Sequence, residues 1–177
     1  MNFPLIIDDE LQLQPVSSEH IEPLFLLVDQ NRDYLARWLP FPPLIKSADD
    51  IAAFISKSID GWSNKELIAC LIIYRQKPVG IISFNKIQEA LKKAEIGYWL
   101  SEPLQGRGIV TRACKRMIQF GFDELKLSKI EIRAASNNQP SRAVCERLGG
   151  TLEGIITQSE NLHGEIIDHA LYALHKP

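Results

Sequence analysis

The chain of 177 residues has few of the residues that mark specialised architectures. Its three cysteines, Cys70, Cys114 and Cys145, form no CxxC pair and are odd in number, which excludes a self-contained disulfide framework. We expect them to be buried free thiols, as is typical of a reducing cytoplasm. The four histidines show no zinc-site spacing with these cysteines, so we expect no metal centre. Ten glycines and ten prolines are too few for a collagen-like or low-complexity chain.

Long apolar runs and a clear excess of charge are also lacking. No run approaches the ~18 apolar residues of a membrane helix, and the N-terminus lacks the positive segment of a secretory signal, so we expect a cytoplasmic protein. Lysine and arginine total 20 against 22 acidic residues, without the basic excess of a dedicated nucleic-acid binder. Residues 105–150 nevertheless hold nine basic and four acidic groups. This segment suggests a locally held anionic ligand, although a solvated surface of mixed charge is the simpler explanation.

The hydrophobic pattern that is present predicts a single α/β domain over residues 1–177. Apolar runs predict strands at residues 5–7, 11–14, 67–74, 78–84, 94–100, 129–135, 151–159 and 166–174. Apolar residues three and four apart predict helices at residues 17–31, 47–61, 108–125 and 141–148. The second helix begins with a capping box formed by Ser47 and Asp50, and its expected buried face is Ile51, Phe54, Ile55 and Ile59. This order of elements predicts a mixed sheet flanked by helices.

A glycine-bearing loop precedes the longest predicted helix. Gly106 and Gly108 let the backbone approach a ligand closely, and free amides at a helix N-terminus bind anions. Arg107, Arg112 and Arg116 add positive charge nearby, which makes a diphosphate the natural ligand. The spacing fits neither the dinucleotide fingerprint nor the Walker loop. Taken alone, the motif is explained equally well as a structural turn.

Five motifs in order along the chain resemble the GNAT family of N-acetyltransferases. The loop at residues 105–110 is similar to the family's acetyl-CoA signature Q/R-x-x-G-x-G/A, with Val110 in place of the last Gly or Ala. The motif before it, at residues 95–100, is similar to the corresponding motif of the family branch that acetylates the N-termini of ribosomal proteins. The same branch is matched by residues 38–40, 138–149 and 160–164.

The resemblance implies a GNAT-like fold, with a mixed and mostly antiparallel sheet, and acetyl-CoA as cosubstrate. Strand 94–101 would separate from strand 129–135, so that pantetheine pairs with the first of them. Amides near Leu100 would polarise the thioester, the amides of residues 106–111 would hold the pyrophosphate, and Asn138 would meet the pantetheine arm. The implied coenzyme-binding residues are Trp99, Leu100, Gln105, Gly106, Arg107, Gly108, Ile109, Val110, Thr111, Asn138 and Arg142.

The resemblance also implies the catalytic residues. Glu160 matches the acid of the late motif and is the first candidate for the general base, with Glu95 and Glu131 as alternatives near the predicted cleft. The position of the family's usual tyrosine acid is Cys145 here, so Ser141 is the candidate donor to the leaving thiolate. For Ser141 the simpler role is that of an N-cap. For each of the three acids, the simpler role is that of a solvated or ion-paired side chain.

The acceptor side is less determined. Trp38 and Leu39, with Glu95, are the candidate substrate-binding residues, although a hydrophobic plug between helices explains the first two equally well. We expect direct transfer in a ternary complex to a primary amine, most readily the N-terminal amine of a ribosomal protein. A polyamine, an aminoglycoside, or a non-catalytic acyl-CoA sensor remain alternatives. We expect a homodimer, with neither membrane nor nucleic acid as partner.

Overall fold

Eight strands form the frame of the protein. The structure is a computed structural model that describes residues 3–176, so the predicted domain limits at residues 1 and 177 lie outside the described residues. The strands are β1 Leu5–Ile6, β2 Leu11–Pro15, β3 Ile68–Tyr74, β4 Lys77–Gln88, β5 Lys93–Leu100, β6 Lys129–Ala135, β7 Thr151–Leu162 and β8 Glu165–His175. They form one sheet in the order β1-β2-β3-β4-β5-β6-β8-β7. Strands β5 and β6 are parallel, and the other neighbours are antiparallel, which confirms the mixed, mostly antiparallel sheet.

In the described part of the chain, five helices flank the sheet: α1 Ile21–Gln30, α2 Arg32–Ala36, α3 Ala48–Ser63, α4 Ile109–Asp123 and α5 Gln139–Arg147. The predicted helix over 17–31 is a single 3-10 turn followed by α1, and α2 was not predicted because five residues are too short to show a periodicity. Asp50 Oδ2 accepts the backbone N–H of Ser47 at 3.0 Å, as predicted for the start of α3. None of the helices in the described part of the chain is long and apolar enough to cross a membrane.

The predicted buried face of α3 is wrong at its last member. Ile51 and Ile55 are buried, but Ile59 is 47% exposed. The buried stripe continues instead through Ser58, seven residues after Ile51, whose hydroxyl donates to the Phe54 carbonyl at 2.8 Å. At 100° per residue the seventh position returns closer to the starting direction than the eighth does, so the hydroxyl is buried and the isoleucine is not.

Two hydrophobic cores lie on opposite faces of the sheet, and β3 contributes to both. Its residues Ile68, Cys70 and Ile72 pack with α4 and α5, whereas Ala69, Leu71 and Ile73 pack with α1 and α3. Successive side chains of a strand point to opposite faces, so a strand covered on both sides is apolar throughout. This explains the uninterrupted apolar run in β3.

The sheet opens between its two parallel strands. The register of β5 with β6 runs from Lys93 with Lys129 to Ile96 with Ile132 and goes no further, although both strands continue. On the other side of β5, strand β4 carries a bulge between Phe84 and Lys86 at the same level. A bulge increases the local twist, which turns the end of β5 away from β6. The predicted separation of these strands is thus present.

Candidate active site

A cleft of about 1030 Å³ occupies the opening between β5 and β6. It is lined by the ends of both strands, the loop after α2, the start of α4, the first turn of α5 and part of the β7–β8 hairpin. Of the residues predicted to bind the coenzyme or the substrate, and of the first candidates for base and thiolate donor, all but one lie along it: Trp38, Leu39, Glu95, Trp99, Leu100, Gln105, Gly106, Arg107, Gly108, Ile109, Val110, Thr111, Asn138, Ser141 and Glu160.

Arg142 is the predicted site residue that does not line the cleft. Its Nη1 donates to the carbonyl of Ser136 at 2.9 Å, and its Nε donates to the hydroxyl of Tyr172 at 3.1 Å. The side chain therefore ties α5 to the end of β6 and to β8. Because both contacts lie within the fold, we expect Arg142 to position α5, and its contact with the coenzyme stays a prediction.

Free backbone amides surround the start of α4. Gly106 and Gly108 have φ of +72° and +70°, and a Cβ on either would meet nothing within 4 Å. Within residues 3–176, no backbone carbonyl accepts the N–H groups of residues 106–111, while the N–H of Arg112 donates to Gly108 at 3.0 Å. Six unpaired donors at the positive end of a helix dipole fit a diphosphate, and the left-handed φ values explain the two glycines. We refer to residues 106–111 as the anion cradle.

Arginines near the anion cradle divide into two groups. Arg107 lines the cleft, and so does Arg147, whose Nε lies 3.5 Å from Thr111 Oγ1. Arg112 instead forms an ion pair with Asp8, and Arg116 Nε donates to the carbonyl of Ile6 at 3.3 Å. These last two hold α4 against the β1–β2 hairpin, which corrects their expected place beside the diphosphate.

The backbone of β5 offers a donor inside the opening. The N–H of Ser101, the residue after β5, donates to the carbonyl of Val79 on β4 at 2.8 Å, so Ser101 and Val79 form a hydrogen-bonded pair. Hydrogen-bonded and non-hydrogen-bonded pairs alternate along antiparallel strands. The N–H groups of Tyr98 and Leu100 therefore point away from β4, into the space that β6 has left.

Asn31, at the junction of α1 and α2, fixes the end of β5, and the sequence analysis did not identify it. Its Oδ1 accepts from Ser101 Oγ at 3.1 Å and from the N–H of Glu102 at 2.9 Å. Its Nδ2 donates to the carbonyl of Leu27 at 2.8 Å. The side chain is only 6% exposed, and these bonds satisfy it on both sides. Its partners lie about seventy residues away in the sequence, so no local pattern indicates its role.

The three candidate acids have different surroundings. Glu160 lines the cleft, and its Oε2 lies 3.2 Å from His169 Nε2. Glu95 also lines the cleft and forms an ion pair of 3.2 Å with Arg133. No sequence pattern indicated that His169 or Arg133 would pair with these acids.

The third acid, Glu131, was expected near the cleft but does not line it. It is 6% exposed and forms ion pairs of 3.0 and 2.9 Å with Lys93 and Lys129. Burial of the carboxyl acts to raise its pKa, but the hydrogen bonds from the two lysines outweigh burial, and the pKa is lowered. Glu131 is therefore a structural ion-pair residue.

Ser141 is not the N-cap that its position suggested. Asn138 caps α5, because its Oδ1 accepts the backbone N–H of Ser141 at 3.2 Å. The hydroxyl of Ser141 instead lies 2.9 Å from the hydroxyl of Tyr98.

Cys70, Cys114 and Cys145 are buried free thiols, as predicted, and burial raises the pKa of Cys145 to about 11.

The loop that follows α2 carries the predicted substrate-binding residues to the cleft. Trp38 and Leu39 line the cleft there, and Trp99 lies beside Phe41 with ring centroids 6.4 Å apart. The tip of the β7–β8 hairpin reaches this loop, since His163 Nε2 lies 3.0 Å from the carbonyl of Ala36. His163 thus contacts the backbone that carries Trp38, which its sequence position near Glu160 did not indicate.

Comparison with known proteins shows which family the chain resembles. The family model described as Acetyltransferase (GNAT) domain matches residues 10–151. The ribosomal-protein-serine acetyltransferase of Escherichia coli (strain K12) is 31% identical over 173 residues, covering 98% of this chain and 97% of that protein. A more distant relative, the spermidine N(1)-acetyltransferase of the same strain, is 23% identical over 176 residues, covering 94% of this chain and 90% of that protein.

Two solved structures share the whole fold. RimL, a ribosomal L7/L12 α-N-protein acetyltransferase in complex with coenzyme A, aligns with a TM-score of 0.95 and 28% identity and covers 98% of both chains. The microcin C7 self-immunity acetyltransferase MccE, in complex with acetyl-CoA and AMP, aligns with a TM-score of 0.93 and 33% identity over 96% of this chain and 94% of that one. The family model covers most of this chain, and relatives with the same fold bind acetyl-CoA or coenzyme A. The chain therefore belongs to the GNAT acetyltransferase family and is an N-acetyltransferase that uses acetyl-CoA.

Proposed function

We propose that this enzyme transfers the acetyl group directly, in a ternary complex, to the N-terminal α-amine of a protein, with ribosomal proteins as the first candidates. The observation that carries the proposal is that residues from both faces of β5 line one continuous cleft. This cleft brings the anion cradle together with Glu160, Glu95 and Trp38. The 31% identity with a ribosomal-protein-serine acetyltransferase supports this choice of acceptor.

Glu160 is the proposed general base. The attacking amine must be neutral, so a carboxylate within reach of the acceptor has to remove its proton. His169 holds Oε2 of Glu160 at 3.2 Å, which leaves Oε1 to accept from the substrate. Glu95 is the alternative base, because its Oε2 is likewise occupied by Arg133 and its Oε1 is left to accept, but only Glu160 matches the acid of the late motif.

The N–H of Leu100 is the proposed donor to the thioester oxygen. The amine nitrogen forms a bond to the carbonyl carbon, and the oxygen becomes negatively charged before the C–S bond breaks. A fixed backbone donor stabilises that charge without reorganisation. Ser141, on the other side of the opening, is the proposed donor to the thiolate that leaves.

Direct transfer is supported by the condition of Cys145. Its thiol does not line the cleft, and its raised pKa of about 11 keeps it protonated at neutral pH. A protonated, buried thiol is a poor nucleophile. An acetyl-cysteine intermediate at this residue is therefore unnecessary to the reaction.

Substitution Glu160→Gln tests the base. We expect kcat to fall by about 10²–10⁴-fold, because the amine stays protonated, with acetyl-CoA affinity unchanged by calorimetry. The matched control is Glu165→Gln, an exposed acid on the same hairpin, which should retain activity. Full activity in Glu160→Gln would contradict the assignment of the base.

The acceptor is tested with labelled acetyl-CoA and a panel of N-terminal peptides and free amines. We expect transfer to peptides, those with ribosomal-protein N-termini foremost. The second candidate is a polyamine or aminoglycoside, which is favoured by the three acids that line the cleft, Glu95, Glu102 and Glu160, and by the spermidine acetyltransferase among the relatives. Transfer to small amines alone would replace the protein acceptor with this alternative.

Two expectations about the enzyme in the cell belong to the same proposal. We place it in the cytoplasm, where its three free thiols stay reduced. We also expect a homodimer, since β7 ends the sheet with an unpaired edge and carries the exposed side chains of Leu152 and Ile155. Light scattering of the purified protein would determine the number of subunits.

A further inference from the structure

Two hydroxyl groups meet across the opening of the sheet. Tyr98 lies two residues beyond Ile96, the last residue of β5 that pairs with β6, and its side chain reaches α5. Its hydroxyl oxygen lies 2.9 Å from Oγ of Ser141 and 3.2 Å from the carbonyl oxygen of the same residue. Both residues line the cleft. The contact therefore joins the strand that offers its amides to the thioester and the helix that carries the proposed thiolate donor.

The protons of the two hydroxyls limit what this contact can be. Burial raises the pKa of Tyr98, so the phenol keeps its proton and is a donor. If it donates to Ser141 Oγ, the proton of Ser141 is left to point into the cleft. If it donates to the carbonyl instead, Ser141 donates back to Tyr98, and no hydroxyl proton faces the ligand. The Oγ contact has an ordinary O–H···O length, whereas 3.2 Å is long for such a bond.

The thiols packed around Tyr98 are uncharged. Its neighbours include the thiols of Cys145 on α5 and Cys114 on α4, and burial raises the pKa of both. At neutral pH each is an uncharged thiol, and thiols are weak hydrogen-bonding groups. Ser141 is consequently the stronger of the partners that the Tyr98 hydroxyl has.

We propose that Tyr98 is a positioning residue whose hydroxyl donates to Ser141 Oγ and so directs the Ser141 proton at the sulfur of the departing coenzyme A. This inference rests on the proposed role of Ser141 and deepens it. When the C–S bond breaks, the electron pair stays on sulfur, and the thiolate accepts a hydrogen bond from Ser141. A serine hydroxyl is too weak an acid to give up its proton to a thiolate, so the sulfur is protonated by solvent as coenzyme A leaves. The acceptor nitrogen loses two protons as the ammonium becomes an amide: Glu160 takes one before attack, and the second leaves nitrogen for solvent after the C–N bond has formed, which balances the proton that solvent gives to sulfur.

The first test measures the pKa of the thiol of bound coenzyme A from the ultraviolet absorbance of the thiolate, with the titration of the free protein subtracted. A donated hydrogen bond stabilises the thiolate, so the wild-type complex should show a lower thiol pKa than Tyr98→Phe or Ser141→Ala. The expected difference is about one unit, the size of a hydrogen bond to a charged group. This measurement needs no acceptor and is independent of which amine the enzyme acetylates.

The matched control is Tyr172→Phe. Tyr172 is also a buried tyrosine, but its hydroxyl accepts from Arg142 at 3.1 Å and donates to Glu146 at 3.2 Å, away from the cleft. The control should leave the thiol pKa of bound coenzyme A unchanged. Melting temperatures of all variants separate a loss of fold from a loss of the hydrogen bond.

The second test is a double-substitution cycle in turnover. We expect Tyr98→Phe to lower kcat about tenfold at unchanged KM for acetyl-CoA, and to have no further effect when Ser141 is already alanine. Additive losses, an unchanged thiol pKa in Tyr98→Phe, or a gain in activity would overturn the positioning role. If Ser141→Ala itself leaves the thiol pKa unchanged, the role of Ser141 fails and the inference fails with it. A failure of the protein acceptor alone would appear only in the amine panel.

Discussion

At the scale of single residues, neighbouring arginines serve different purposes. Arg107 has an exposed side chain beside the anion cradle, whereas Arg142 donates to Ser136 and Tyr172 inside the fold. An exposed cation attracts the phosphates without contributing much to folding. A guanidinium that satisfies buried oxygens contributes to folding, and its removal leaves those oxygens unpaired. Position in the motif does not distinguish the two roles, but the direction of the side chain does.

Substitution of the two arginines by alanine should therefore affect different quantities, stability for Arg142 and coenzyme binding for Arg107. Arg142→Ala should lower the free energy of unfolding and leave KM for acetyl-CoA unchanged, because the two hydrogen bonds of its guanidinium are made within the fold. Arg107→Ala should raise KM and leave stability unchanged. Urea unfolding and steady-state kinetics on both variants measure the two effects. A raised KM in Arg142→Ala would restore the coenzyme contact expected from the sequence.

At the scale of elements, the site depends on how closely β4 and β5 approach each other. Gly80 lies opposite Leu100, and a Cβ on Gly80 would stand 2.1 Å from the carbonyl oxygen of Trp99. That oxygen belongs to the backbone and cannot move without moving β5. The Leu100 amide is proposed to contact the thioester. Its position thus depends on Gly80, in the neighbouring strand, having no side chain.

Gly80→Ala should consequently affect both folding and binding. We expect a loss of about 1–3 kcal/mol in unfolding free energy, as in other overpacked sites, together with weaker acetyl-CoA binding by calorimetry. Gly154→Ala in β7 is the control, because a Cβ there meets nothing within 4 Å, and its stability should change by no more than about 0.5 kcal/mol. Equal stability of the two variants would exclude the steric explanation.

At the scale of the whole molecule, ion pairs connect strands from both sides of the opening. Glu131 on β6 pairs with Lys93 on β5 and with Lys129, which also pairs with Glu153 on β7 at 2.7 Å. The pKa of Glu131 is lowered from 4.5, because the hydrogen bonds from the lysines outweigh the opposing effect of burial. A carboxyl with a lower pKa in the folded state stabilises the fold above its unfolded-state pKa and loses that contribution as pH falls.

The free energy of unfolding should therefore fall as the pH is lowered below about 4.5, and Glu131→Gln should reduce this dependence. At neutral pH the same variant should be less stable than the wild type, because Lys93 loses its ion pair with Glu131 and Lys129 keeps only the one with Glu153. Urea unfolding over a series of pH values measures both effects, with Glu165→Gln as the exposed control. A pH dependence unaltered by Glu131→Gln would show that this carboxyl does not contribute to acid sensitivity.

Most of the fold and the chemistry of the anion cradle follow from local patterns. The apolar run of β3 and the stripe of α4 predict buried elements, since burial on one or both faces requires those spacings. The glycines at 106 and 108 predict the loop, because few other residues adopt left-handed φ without strain. The short α2 and the exposure of Ile59 could not be predicted this way. The first has too few residues for a period, and the second follows only if the buried face continues through the polar Ser58, which an apolar pattern does not indicate.

The sequence by itself determined the order of elements, the mixed sheet, the glycine loop before α4 and the family to which these belong. The tertiary structure decided which side chains turn into the cleft: it turned Glu160 toward His169, Tyr98 toward Ser141, and Arg142, Glu131 and Arg112 away. The physical reason is distance along the chain. Periodicity, capping and glycine conformation act over a few residues, whereas hydrogen bonds such as those of Asn31 to Ser101 and Glu102 join residues about seventy apart and exist only once the strands have assembled.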